Sequence, residues 1–153
     1  MSKLTRGAYV PRASTPLLDA MGRGINDLES KIGKMAEGER PEKVIMAVIT
    51  DGQENASREF RKDQVEKMIK ERTEKDGWQF VFLSADLEAI RDAIATGFRA
   101  DTVLGFSKTA EGTRGAYHSL SKQMSGFRSG KKKLEFDEED KKSDAELLKK
   151  KPN

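Results

Sequence analysis

The sequence predicts an α/β fold, a mainly parallel sheet with helices on both faces. Three observations point to it. The run Lys43 to Thr50 (KVIMAVIT) is almost continuously apolar and β-branched, as in strands buried on both faces. Two further short runs, Trp78 to Leu83 (WQFVFL) and Thr102 to Phe106 (TVLGF), have the same character. Segments of helical periodicity stand before, between and after these runs, and such alternation favours parallel strands joined by right-handed crossovers.

The first helix opens near Thr15. Leu18, Met21, Ile25, Leu28, Ile32 and Met35 recur at spacings of three and four and so share one stripe. Thr15 offers a capping hydroxyl, and Pro16 suits the first helical position, where a missing N–H costs nothing. Gly38 and Pro41 end the segment. The apolar strand that follows closes on Asp51-Gly52, a turn signal. A charged helix is expected from about Ser57 to Lys75, with Asp63–Lys67, Glu66–Lys70 and Glu71–Lys75 as i,i+4 pairs on a solvated face. A short helix from about Leu87 to Ile94 precedes the third strand. The last helix carries Tyr117, Leu120, Met124 and Phe127 on one stripe, with His118, the chain's single histidine, offset from it as a surface residue.

Composition bounds the rest. Of 153 residues, 36% are charged and 35% hydrophobic, and 29 basic against 26 acidic side chains give a net charge of +3. So small an excess is no signature of a nucleic-acid surface. Absent cysteine excludes disulfides and thiolate metal sites. The longest apolar run, Val44 to Ile49, is far below the roughly 20 residues of a membrane span, and no signal-peptide pattern opens the chain. These features predict a cytoplasmic protein, in which Asn55-Ala56-Ser57 is turn chemistry rather than a glycosylation acceptor. Residues 1–127 read as one domain. Residues 128–153 alternate lysine blocks with the acidic block Asp137 to Asp140 and hold few large apolar residues, which predicts a tail that is disordered or a weakly formed helix and a poor phosphate-binding arm.

In a parallel α/β sheet, ligands bind beyond the carboxyl ends of the strands. Asp51 stands at such an end, and Thr15 opens the helix before that strand. A carboxylate and a hydroxyl are hard oxygen donors of the kind Mg²⁺ takes. Glu54, Asn55 and Ser57 read as turn and capping residues, as do Ser84 and Asp86 before the short helix. Trp78 reads as packing.

The segments STPLLDA (Ser14 to Ala20) and VITDGQENAS (Val48 to Ser57), about 30 residues apart with a helix between them, resemble the second and third motifs of the von Willebrand factor type A domain. The resemblance runs from about Tyr9 to Phe127. It implies a Rossmann-like fold with a metal-ion-dependent adhesion site, in which Thr15 and Asp51 take the places of the family's threonine and aspartate ligands. The family's first motif, Asp-x-Ser-x-Ser on the first strand, occurs nowhere in this chain. By resemblance the chain is a truncated type A domain, a non-enzymatic module that binds a protein partner. The missing strand is the family's central one, so Lys43 to Thr50 should be left with an unpaired edge that a complementing chain or a second copy could cover. One carboxylate and one hydroxyl make a poor cage for Mg²⁺, so ion binding is expected to be weak or partner-dependent. The competing reading, a metal-assisted hydrolase using Asp51, Glu54 and Asp86, lacks any P-loop, Asp-x-Asp pair or nucleophile elbow. A fragment or scaffold of a split type A protein, without metal binding, is the remaining alternative.

Overall fold

A computed structural model of the chain describes residues 15–142. In chain order the elements are α1 (Leu17–Lys34), β1 (Ile45–Thr50), α2 (Lys62–Asp76), β2 (Gln79–Ser84), α3 (Leu87–Ala95), β3 (Val103–Gly105) and α4 (Ala110–Arg128), with single 3-10 turns at Glu37–Glu39 and Ala100–Thr102. The three strands are parallel in the order β1-β2-β3, with Ala47 opposite Val81 and Leu83 opposite Leu104. The predicted α/β class is the observed one.

β2 is central, and alternation along it divides the core in two. Phe80 and Phe82 face α1, α2 and α3, where Met21, Ile25, Val65, Ile69, Ala89 and Ala93 close over them. Val81 and Leu83 face the other way, against Leu104, Phe106 and α4 residues Ala116 and Leu120. Phe98 packs edge-on against Phe82 at 5.3 Å and against Phe80 at 6.3 Å. Trp78 lies in the same cluster.

Element boundaries shift where local chemistry outweighs periodicity. α2 begins at Lys62 rather than near Ser57, because residues before it are tied to α1 as described below. It ends on Gly77, whose φ of 65° lies in the left-handed region that glycine occupies without strain. Its ion pairs join Arg72 to Asp76 at 2.7 Å and to Glu29 of α1 at 3.2 Å, and Asp63 to Arg61 at 3.3 Å, instead of using the expected lysines.

Three expectations are corrected. β1 is not covered on both faces: Met46 and Val48 pack against the α1–α3 side, whereas Ala47 is exposed and Ile49 is 40% exposed. α4 sits over β2 and β3 and reaches only the start of β1, where Ile45 packs against the second cluster, leaving Ala47 and Ile49 open. Tyr117 is 52% exposed, and the buried stripe of α4 is Ala116, Leu120 and Gln123. The stretch after α4 is not a disordered tail through residue 142. Leu134 and Phe136 are buried in the second cluster, and the Phe136 N–H donates to the Asp101 carbonyl at 2.7 Å. A charged latch follows: Gln123 Nε2 donates to Asp140 at 2.7 Å, Lys122 pairs with Asp140 at 3.0 Å, and the Asp137 and Asp140 side chains each accept the other's backbone N–H. Residues 143–153 lie outside the described residues.

Candidate functional site

The carboxyl end of β1 runs into a loop, residues 51–61, that is stitched to the start of α1. The first turn of any helix has N–H groups without partners in the helix itself. Thr15 does not cap its own helix. The cap comes instead from the distant loop: Leu18 N–H donates to Glu54 Oε2 at 2.7 Å and Asp19 N–H to Ser57 Oγ at 3.0 Å. Thr15 and Asn55 exchange two bonds, Thr15 N–H to Asn55 Oδ1 at 2.7 Å and Asn55 N–H to the Thr15 carbonyl at 3.2 Å.

The stitching is reciprocal. Asp19, 8% exposed, reaches from α1 into the loop and accepts the N–H groups of Arg58, Glu59 and Phe60 at 2.8 to 2.9 Å. The bond from Arg58 leads the effects that hold the Asp19 carboxyl below the usual carboxylate range, against an opposing push from burial. For Glu54, burial pushes the carboxyl up, but the donors Leu18 N–H, Ser57 Oγ–H, Ser57 N–H and Ala56 N–H together outweigh it and the net shift is downward. Gly22 completes the joint. A Cβ there would lie 2.5 Å from the Phe60 ring, so only glycine lets the loop's aromatic lie against α1.

Of the residues expected to hold an ion, Thr15 is half-buried and Asp51 exposed. Thr15 and the Asp51-Gly52 turn are brought together: a Cβ on Gly52 would stand 3.3 Å from Thr15 Oγ1. Thr50 Oγ1 braces the turn, at 3.2 Å from Gly52 N and 3.1 Å from its carbonyl. The neighbouring carboxylates are committed elsewhere. Glu54 serves four donors, and Asp86 caps α3 by accepting the N–H groups of Glu88 and Ala89 at 2.9 and 3.0 Å. Ser84 Oγ, fully buried, accepts the Asp86 N–H at 3.1 Å. Thr15 and Asp51 thus offer two oxygens toward an ion that demands about six in octahedral array, and they do not fit Mg²⁺ by themselves. Among the described residues, no group of three or more His, Cys, Asp or Glu is placed to hold a metal. The cavity beside Glu54, walled by Leu18, Met21, Phe82 and Phe98, has a volume of about 30 Å³. That is room for about one water.

Asp19 is the residue that sequence reasoning passed over. Its signal was an acidic side chain in the first turn of a helix, next to the apolar stripe, at a place where a solvated carboxylate needs no partner.

His118 is exposed on α4, as expected. Among the described residues, no helix is long and apolar enough to cross a membrane. Comparisons with known protein families, with curated proteins and with solved structures find no match for this chain.

Proposed function

We propose that this chain is a non-enzymatic protein-interaction module that resembles part of a type A domain. Its binding surface is the edge of β1 that has no strand partner among the described residues, with Thr15 and Asp51 at the carboxyl end of that strand. The observation that carries this reading is the position of β1. It is the most apolar strand in the sequence, yet among the described residues it hydrogen-bonds only to β2 and keeps Ala47 and Ile49 in solvent. Natural sheets guard such edges with charge, proline or a covering element, and no charged residue or proline interrupts Val44 to Thr50. A strand that adds to this edge would satisfy its backbone groups, a common mode of peptide and subunit recognition. Mg²⁺ enters only if the added chain brings the missing oxygens. The hydrolase reading is disfavoured because Glu54 and Asp86 already serve backbone N–H groups.

Thermal unfolding of the purified chain at several protein concentrations, with millimolar Mg²⁺ and with chelator, tests the proposal. A ligand or partner that binds only the folded state raises the midpoint by mass action. The expected result is a midpoint that rises with protein concentration or with an added partner and is indifferent to Mg²⁺. A midpoint independent of both and raised by Mg²⁺ alone would mean a self-sufficient ion site and would overturn it.

A further inference from the structure

We infer that the partner of the β1 edge is a second copy of this chain, joined by antiparallel β1–β1 pairing about a twofold axis at Ala47. The inference rests on the reading of that edge as the interaction surface, and it specifies partner and register.

Gln79 N–H donates to the Val44 carbonyl, so Val44 turns its polar groups toward β2. Successive residues of a strand alternate, so Ile45, Ala47 and Ile49 turn theirs outward. The same three residues carry their side chains on the α4 side of the sheet, where Ile45 packs against the second cluster and Ala47 and Ile49 are exposed. Among the described residues, edge and face are therefore both unfilled at Ala47 and Ile49, whereas Ile45 is partly covered.

Antiparallel pairing with Ala47 opposite Ala47 of the second copy puts Ile45 opposite Ile49. Each of these pairs is of the hydrogen-bonded kind, so about six main-chain bonds form across the seam. On the open face, the isoleucines make two apolar cross-strand contacts. The next positions outward decide the register. Lys43 falls opposite Asp51 at both ends of the seam, so each open-face row reads cation, isoleucine, alanine, isoleucine, anion against its complement. Sliding by one pair in one direction would set Asp51 against Ile45, and in the other Lys43 against Ile49. Lys43 already lies on this face: its Nζ donates to the Phe127 carbonyl at 2.7 Å and stands 5.1 Å from the Phe127 ring. The described strands of the two copies would join into one six-stranded sheet with an α4 on either side of the seam.

Sedimentation equilibrium of the full chain and of charge variants tests this. The unaltered chain should be a monomer–dimer system. Lys43→Glu and Asp51→Lys each place like charges opposite one another twice, and each should weaken dimerisation about tenfold. Mixing the two variants restores both opposite-charge pairs, so the mixture should dimerise at least as well as the original. A lost contact to Phe127 would not be repaired by mixing. The chain has no cysteine, so a single introduced thiol reports register. Ala47→Cys should form a covalent dimer under oxidised glutathione, because paired Cα atoms about 5.5 Å apart lie within disulfide range. Ile45→Cys should cross-link to Ile49→Cys in a mixture and poorly to itself. A chain that is monomeric throughout, or a dimer indifferent to both charge variants and to their mixing, overturns the inference. In the monomeric case the broader reading of the edge survives if an added partner still raises the unfolding midpoint.

Discussion

Replacing Leu134 and Phe136 together by alanine should destabilise the domain by about 5 kcal/mol. Both side chains are buried, at 2% and 5% exposure, against Val81, Leu83, Leu104 and Leu120. Large-to-small changes in a core cost about 2–5 kcal/mol for leucine and 3–5 for phenylalanine, and neighbours sharing one cluster add less than fully. Natural domains of this size hold about 5–15 kcal/mol in total, so the double variant should be largely unfolded or melt tens of degrees lower. Denaturant titration followed by circular dichroism measures this. An unchanged midpoint would mean that residues 131–142 are a dispensable tail and that the second core closes without them.

Mild acid should unfold the protein through its carboxylate joints. Asp19 and Glu54 titrate below their ordinary range in the folded chain, and Asp140 is held at about 2 by Ser119, the Asp137 N–H, Lys122 and Gln123 against the opposing effect of burial. In the unfolded chain such groups titrate near about 4. A group whose folded pKa is the lower one contributes stability that is complete above the unfolded value and is lost as pH falls through the folded one. Stability should therefore be flat in these groups from pH 7 to about 5, and fall steeply from about pH 4 toward 2. As Glu54 and Asp19 protonate, the start of α1 and the loop at residues 51–61 should part first. Glu54→Gln turns an amide toward N–H donors, so at pH 7 it should lower the melting temperature by roughly 5 °C and flatten the loss below pH 5. Equal sensitivity to acid in Glu54→Gln and the unaltered chain would contradict this assignment.

The sequence made some features legible and hid others for identifiable reasons. The stripe from Leu18 to Ile32 and the runs around Val48 and Phe82 are dense, periodic and local, and the helices and strands stand where they predict, to within a few residues at most boundaries. The loop at residues 51–61 was misread because its donors and acceptors lie 36 to 41 residues apart in the chain, as Leu18 from Glu54 and Phe60 from Asp19. Local capping rules read Glu54 and Ser57 as capping residues but do not say of which helix, and the helix they cap is the previous one, α1. Leu134 and Phe136 were averaged away in a stretch that is mostly charge, yet two apolar residues suffice where α4, β2 and β3 offer a slot. Tyr117 falls on the expected stripe by spacing, but α4 turns Ala116, Leu120 and Gln123 to the core and leaves the Tyr117 ring in solvent. Motif and topology point to Thr15 and Asp51. Their neighbourhood at the Gly52 turn was foreseeable in that way, but the commitment of Glu54 to Leu18 was not.

The central claim is that the outward edge of β1 is where this protein meets its partner. Backbone amide hydrogen exchange, resolved residue by residue across a range of protein concentrations, tests it most directly. In dilute solution the Ala47 and Ile49 amides should exchange far faster than those of Met46 and Val48, which face β2. As association proceeds, Ala47 and Ile49 should gain protection together and in proportion to the associated fraction. Association that leaves these two amides unprotected while slowing exchange on another surface would contradict the claim.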